Sequence, residues 1–260
     1  RMAVLAKAQW VEERVDAPDI LLLDPRRPMK YLQGHVKNAV NLPLFKAFDA
    51  EGKLLPDADL QRWIGTAGLD VQRTPVIYDS YDGQNGAMLV WILEYFGRTD
   101  VHVLNIFFER WVTEGREVFY RPVTPVPTAF MGQVNPHLRA TMDDIRTEPG
   151  LTLIDFRSQE EYTGKVDRDA RPGHIPNAVN IVWKDLLGPQ QEVLGPRETI
   201  EEFLRAAGIQ RGEKIVGYCR AGLRAAVGYL VLRQYGYDVR LYDRSYAEWA
   251  RSGLPVEVCR

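Results

Sequence analysis

The chain repeats part of its own sequence, and this duplication restricts its fold more than any other feature. Residues 34–41 (GHVKNAVN) recur 139 positions later as residues 173–180 (GHIPNAVN). The same offset relates Ser80 to Cys219, which makes Ser80 the predicted counterpart of that cysteine. Further matched pairs occur in the same order: Asp24 and Asp155, Arg26 and Arg157, Gly83 and Gly222, Trp111 and Trp249. A repeat of this length predicts two similar domains.

Each copy shows the same alternation of short apolar runs and helical segments. Predicted strands cover residues 20–24, 39–42, 76–79 and 101–104, and then 151–155, 178–182, 215–218 and 239–242. Predicted helices cover residues 58–67, 86–96, 197–207 and 223–235, with short helices ending near Trp111 and Trp249. Continuously apolar strands that alternate with helices indicate parallel pairing. We therefore expect an α/β protein of two tandem domains, each a small parallel sheet with helices on both faces.

A proline-rich segment separates the two copies. Pro122, Pro125 and Pro127 lie within six residues, which is typical of a stiff, extended connector. We place a first domain at residues 1–120, a linker at 121–136 and a second domain at 137–260.

Cys219 is the strongest candidate for a chemically active residue. It follows the apolar run 215–218 and precedes a short loop and a helix, so it lies at the carboxyl end of a parallel strand, where active sites of such sheets are found. Backbone N–H groups and the positive end of the helix dipole favour a thiolate there. Arg220 and Arg224 add positive charge for an anion, and Gly222 is either a positive-φ residue or an ordinary turn glycine. We expect the thiol to be accessible at the mouth of the second domain.

Composition excludes several other classes of function. The net charge of −2 gives no general attraction for nucleic acid or for an anionic membrane. No apolar run approaches the length of a membrane-spanning helix, and four scattered histidines with two cysteines show no metal-ligand spacing. We expect a monomer without metal or cofactor. A cytoplasmic location is expected, or a periplasmic one if a signal preceding Arg1 has been removed.

The active loop and the glycine-histidine segment together resemble the tandem-domain rhodanese family, the thiosulfate and 3-mercaptopyruvate sulfurtransferases. The resemblance rests on residues 219–224 (CRAGLR) and 173–180, and it covers nearly the whole chain. It implies an inactive first domain and a catalytic second domain with Cys219 as nucleophile. It also implies that the loop binds the substrate, through these residues: Arg220, Ala221, Gly222, Leu223 and Arg224.

The resemblance implies transfer of the sulfane sulfur of thiosulfate to cyanide or a thiol through a persulfide on Cys219, with release of sulfite. Small-molecule donors and acceptors are then the partners. Two arginines suit a compact dianion, which favours thiosulfate over 3-mercaptopyruvate as the donor. Both 3-mercaptopyruvate sulfur transfer and a persulfide carrier that serves a protein partner remain alternatives. A phosphatase of the Cys-x5-Arg type is disfavoured because Arg224 is five residues after Cys219 and Ala225 is the sixth.

Three features need the structure for their interpretation. Asp155 and Arg157 are either a pair that braces the active loop or a strand-end ion pair that serves stability. His174 is expected to have a packing role, because its twin His35 lies in the half without a thiol. Glu161 stands where several family members have a substrate-binding arginine, so a carboxylate there would oppose an anion.

Overall fold

A computed structural model describes residues 2–166 and 168–259 of the chain. Within this part, the chain forms two compact units. The first unit contains residues up to Val134 together with the segment 188–194, and the second contains residues 135–187 and 195 onward. The boundaries proposed from the sequence, with an inactive domain at 1–120 and a catalytic domain at 137–260, stay a prediction.

The first unit is built on a parallel sheet. Its strands are β1 (Val4–Ala6), β2 (Ile20–Asp24), β3 (Val40–Asn41), β4 (Thr74–Ile77) and β5 (His102–Leu104). They pair in the order β1-β5-β4-β2-β3, and every described pair is parallel. Its helices are α1 (Ala8–Glu12), α2 (Pro28–Leu32), α3 (Asp57–Thr66), α4 (Gln84–Tyr95) and α5 (Phe108–Thr113).

The second unit repeats this plan after α6 (Met142–Thr147). Its strands are β6 (Leu151–Asp155), β7 (Val179–Asn180), β8 (Lys214–Tyr218) and β9 (Asp238–Leu241), paired in parallel in the order β7-β6-β8-β9. Its other helices are α7 (Gln159–Thr163), α8 (Arg197–Ala206), α9 (Leu223–Gln234) and α10 (Ser245–Ala250). Two parallel sheets flanked by helices confirm the predicted fold class.

The helix that follows each central strand is almost wholly buried. Eight of the twelve residues of α9 are buried, because apolar side chains occur all around it rather than along one stripe. Phe156, just after β6, packs where Gly217 of β8 and Gly228 of α9 come together. A β-carbon at either glycine would overlap the Phe156 ring, so close packing at this point requires glycine on both elements. This packing fixes the end of β8 against the middle of α9.

The proline-rich segment lies against the first unit in extended form. Thr128 donates its backbone N–H to the Gly65 carbonyl at 2.9 Å, and Gln133 donates to the Phe96 carbonyl at 2.9 Å. Phe130 between them is buried. The segment therefore has no regular helix or strand between residues 120 and 134, as its prolines predict, but it is held by backbone hydrogen bonds.

Candidate active site

The loop from Cys219 to Gly222 joins the end of β8 to the start of α9. Gly222 has a φ of +102°, in the left-handed region that glycine enters without strain. Of the two roles considered for this glycine, the structure shows the positive-φ one. The Gly222 N–H donates a hydrogen bond to Sγ of Cys219 at 3.1 Å. The sulfur is therefore held at the amino-terminal end of a twelve-residue helix, where N–H groups lack partners within the helix and the dipole is positive.

The thiol is covered by the surrounding protein. Only 1% of Cys219 is exposed, whereas we expected an accessible sulfur at the mouth of the domain. Ala221 and Leu223, which flank the glycine, are partly exposed, and Arg220 is exposed. The loop surface thus faces solvent, while the Cys219 sulfur lies beneath it.

The start of α10 holds the backbone of the loop in place. Cys219 donates its N–H to Oγ of Ser245 at 3.1 Å, and that hydroxyl donates to the Tyr242 carbonyl at 2.7 Å. Tyr246 donates its N–H to the Cys219 carbonyl at 2.9 Å. Ser245 is fully buried and has a φ of +60°. This role of Ser245 could not be predicted from the sequence, because only the fold brings a residue 26 positions away to the cysteine.

Arg224 does not face solvent as a free cation. Its guanidinium binds the Glu161 carboxylate in a bidentate pair, with N–O distances of 2.7 and 3.1 Å. The side chains are 19% and 3% exposed, respectively. Burial alone would raise the pKa of Glu161, but the hydrogen bond and charge of Arg224 outweigh it and lower that pKa to about 2. Glu161 was expected to oppose an anion, and this expectation stays a prediction; the structure places its carboxylate in an ion pair with Arg224.

Arg220 also has a carboxylate partner. Its Nε lies 3.2 Å from Oδ1 of Asp169. The arginine side chain is 46% exposed, but that of Asp169 is only 6% exposed. Each of the two guanidinium groups expected to attract an anion is thus next to a carboxylate from a distant part of the chain. Substrate binding by Arg220 and Arg224 stays a prediction.

Asp155 and Arg157 form a fully buried pair beside the loop. The guanidinium contacts the carboxylate at 2.8 Å and donates to the Gly173 carbonyl at 2.6 Å. It also lies over the ring of Tyr246, 4.2 Å from the ring centroid, and so supports the residue that binds the Cys219 carbonyl. Burial alone would lower the pKa of Arg157, but the hydrogen bond and charge of Asp155 reverse this and raise it.

The first unit contains the same pair, although it has no thiol. Arg26 contacts Asp24 at 2.8 Å, donates to the Gly34 carbonyl at 2.7 Å, and lies over the ring of Phe108. A pair that occurs in both halves has a structural function in each. A bracing role for Asp155 and Arg157 toward the active loop stays a proposal.

The two glycine-histidine segments also share one geometry. His174 stacks on Tyr162 at 3.8 Å between ring centroids, and its Nδ1 lies 2.7 Å from the Tyr162 carbonyl oxygen. His35 stacks on Tyr31 at 4.0 Å in the same way. Both histidines are buried, which supports the packing role expected for them.

The counterpart of Cys219 in the first unit is Asp79, so the prediction of Ser80 was wrong by one residue. The tyrosine before each loop identifies the register, because Tyr78 Oη accepts the Val36 N–H and Tyr218 Oη accepts the equivalent N–H of Ile175, both at 3.1 Å. The residues that follow these tyrosines, Asp79 and Cys219, make equivalent hydrogen bonds as well. Phe108 donates to the Asp79 carbonyl at 2.9 Å, as Tyr246 does to Cys219. The constant sequence offset failed because the loop before α4 has one more residue than the loop before α9.

Asp79 places a carboxylate where the second unit has sulfur. Its Oδ2 accepts the Gly86 N–H and its Oδ1 accepts the Ser80 N–H, both at 2.7 Å. Burial raises the pKa of Asp79 to about 7, although these two hydrogen bonds act in the opposite direction. The first unit thus offers a hydrogen-bond acceptor to the start of α4 but no nucleophilic sulfur.

Residues 2–166 and 168–259 contain neither a cluster of metal-ligating side chains nor a helix that could span a membrane. Their histidine, cysteine and acidic side chains do not gather in groups of three or more that could hold a metal ion. None of the described helices combines the length and apolar character needed to cross a membrane.

A family model matches both halves of the chain. The model describes a Rhodanese-like domain, and it covers residues 7–114 and 138–252. The chain belongs to the rhodanese family. The predicted resemblance is therefore confirmed, and in this tandem rhodanese the second match contains the Cys219 loop.

Two related proteins and one solved structure span nearly the same length as this rhodanese. Thiosulfate sulfurtransferase of Pseudomonas aeruginosa is 28% identical over 254 residues, which cover 94% of this chain and 93% of the relative. The sulfur carrier protein TtuD of Thermus thermophilus is 27% identical and covers 97% and 96%, respectively. A crystal structure of a probable thiosulfate sulfurtransferase superimposes with a TM-score of 0.72 at 28% identity, over 92% of this chain and 98% of that one.

Proposed function

We propose that the protein is a sulfurtransferase that moves the sulfane sulfur of thiosulfate to a thiol or to cyanide through a persulfide on Cys219. The observation that carries the proposal is the position of Sγ, which accepts the Gly222 N–H at the start of α9. An N–H donor of this kind binds a charged sulfur more strongly than a neutral one. The family and the name of the Pseudomonas aeruginosa relative support this choice of reaction.

In the first step, the Cys219 thiolate attacks the outer sulfur of thiosulfate. A new S–S bond forms, the S–S bond of thiosulfate breaks, and the electron pair leaves with sulfite. The terminal sulfur of the persulfide then carries the negative charge, which the N–H groups at the start of α9 stabilise. In the second step, cyanide or a thiolate takes that sulfur and regenerates the Cys219 thiolate. Neither step moves a proton once the thiol is ionised, so neither requires a general base.

Mass spectrometry of the intact protein tests this proposal. Treatment with thiosulfate is expected to add the mass of one sulfur atom, and cyanide is expected to remove it with release of thiocyanate. Cys219→Ser is expected to abolish the gain, whereas Cys259→Ser, at an exposed thiol, is expected to retain it. Persulfide formation in Cys219→Ser, or none in the wild type, would refute the mechanism.

A second candidate is a persulfide carrier that delivers sulfur to a protein. The name of the Thermus thermophilus relative favours it. Steady-state assays separate the two functions, because a carrier forms the same persulfide but turns over small acceptors slowly. Parallel lines in double-reciprocal plots with thiosulfate and cyanide, at ordinary enzymatic rates, support the transferase. A higher kcat/KM with 3-mercaptopyruvate than with thiosulfate would identify the alternative donor.

A further inference from the structure

The positive charge of the active loop is balanced within the second unit. Arg224 and Arg220 are the cations of the loop, and Glu161 and Asp169 are their carboxylate partners. Each carboxylate is at most 6% exposed, so solvent screens it poorly. A dianion that approaches Cys219 therefore encounters two ion pairs in place of two unpaired guanidinium groups.

Glu161 is held in place independently of Arg224. It is the third residue of α7 and completes a capping box, in which Ser158 Oγ accepts the Glu161 N–H and the Glu161 carboxylate accepts the Ser158 N–H. Its low pKa keeps the carboxylate ionised throughout the pH range in which the enzyme can be assayed. The negative charge is thus a permanent part of the site.

Arg224 is close enough to the reactive sulfur for this charge to matter. It occupies the first turn of α9, two residues after the glycine whose N–H binds Sγ. Burial alone would lower the pKa of Arg224, but its hydrogen bond to Glu161 and the negative charge around it raise that pKa. A guanidinium in this position attracts a sulfur donor, and a carboxylate bound to it cancels most of that attraction at longer range.

We propose that Glu161, with Asp169 in a smaller role, determines the charge specificity of the sulfur donor by neutralising Arg224 and Arg220. The two carboxylates weaken the binding of dianionic donors more than that of donors with a single charge. This inference rests on the proposed function, because it concerns the donor half of that reaction.

The test compares two donors that differ in charge at nearly constant shape. Thiosulfate is a dianion, and methanethiosulfonate carries a methyl group in place of one charged oxygen and is a monoanion. Both transfer the outer sulfur, with sulfite or methanesulfinate as the leaving group. Coulomb energy is proportional to the charge of the ligand, so the removal of one protein charge changes the logarithm of affinity twice as much for the dianion.

Glu161→Gln is the informative variant, because glutamine keeps the capping box and can still accept from Arg224. We expect kcat/KM to rise about tenfold for thiosulfate and about threefold for methanethiosulfonate, mostly through KM, as charge scaling requires. Asp169→Asn should act in the same direction with a smaller effect, since Arg220 is half exposed. Glu160→Gln is the matched control, with the same charge change at the exposed neighbouring position.

Several results would overturn the proposal. These are an unchanged or lower kcat/KM for thiosulfate in a folded Glu161→Gln protein, equal changes for both donors, or an equal effect of Glu160→Gln. If Glu161→Gln does not fold, Asp169→Asn decides, and the lack of a larger gain for the dianion counts against the proposal. Added salt should reduce the difference between the variant and the wild type. Failure of the proposed function can be distinguished from failure of this inference. In that case neither the wild type nor any of the variants would form a persulfide on Cys219.

Discussion

The loop before α4 and the loop before α9 lie at the same place on two copies of one scaffold. A tyrosine precedes Asp79 in the first loop and Cys219 in the second. The backbone carbonyl of each accepts the N–H of a downstream aromatic residue, Phe108 for Asp79 and Tyr246 for Cys219. One loop holds the Asp79 carboxylate at the helix start, and the other holds the Cys219 sulfur. The comparison shows that this scaffold directs backbone N–H donors at an acceptor atom in both loops, whereas the atom placed there determines whether sulfur chemistry can follow.

The largest effect is expected from giving the second loop the side chain of the first. Cys219→Asp should lower thiosulfate:cyanide activity by about 10³-fold or more, because it removes the nucleophile. The protein should still fold, since the first unit accommodates a carboxylate at this position. Activity is measured as thiocyanate release, with circular dichroism as the control for folding. Residual activity above one tenth of the wild type would show that the nucleophile lies elsewhere.

The Asp79 carboxyl of the first loop predicts a pH dependence of stability. The folded-state pKa of Asp79 is about 7, above its ordinary value, so the folded protein holds a proton that the unfolded chain has lost between about pH 4 and 7. Stability should therefore fall as pH rises through this window and level off above it. Between pH 5 and pH 8, the titration of Asp79 is expected to lower the free energy of unfolding by about 3 kcal/mol.

Asp79→Asn tests this prediction, because the amide cannot titrate but can still accept the Gly86 N–H. Urea unfolding at several pH values should show a flatter pH dependence for the variant than for the wild type. Asp82→Asn, in the same loop, is the control for a general change in charge. Parallel pH profiles for wild type and Asp79→Asn would show that Asp79 is ionised throughout this range.

A smaller effect on activity is expected from the loss of the Ser245 hydrogen bond, which holds the Cys219 loop. Ser245 Oγ accepts the Cys219 N–H, whereas the equivalent position in the first unit holds Phe107. Ser245→Ala leaves a buried N–H without its acceptor, which we expect to lower kcat/KM about tenfold through a displaced sulfur, at the usual free-energy cost of such a group. Ser252→Ala, at the other end of α10, is the control. An unchanged kcat/KM for Ser245→Ala would show that the loop is held without this hydroxyl.

Local sequence signals predicted most of the fold. The strands at 20–24 and 151–155 were predicted with their observed bounds, since each is a mainly apolar run that ends at an aspartate. The helix at Leu223 was predicted to begin where it does, because the glycine before it ends the loop. Short elements were missed, among them β1 and α7, because three to five residues carry little periodicity.

The charge of the candidate site could not be predicted in the same way. Cys219 was found because its strand, loop and helix are contiguous in sequence. The carboxylate that neutralises Arg224 is 63 residues away, and no local pattern connects the two. The register error at Asp79 has a related cause. The matched residues on either side, His35 and Gly83, both keep the offset of 139, so they do not reveal that the offset is 140 at Tyr78.

The packing around Phe156 has a consequence for any attempt to move the active loop onto the first unit. At the positions equivalent to Phe156, Gly217 and Gly228, the first unit has Pro25, Ile77 and Leu89. The second unit has one large side chain at these three positions, the Phe156 ring, whereas the first unit has the two aliphatic side chains of Ile77 and Leu89. A chimera that exchanges only one of the three residues would have an overpacked core or a cavity at this point. Transfer of the Cys219 loop to the first unit therefore requires that all three residues be exchanged together.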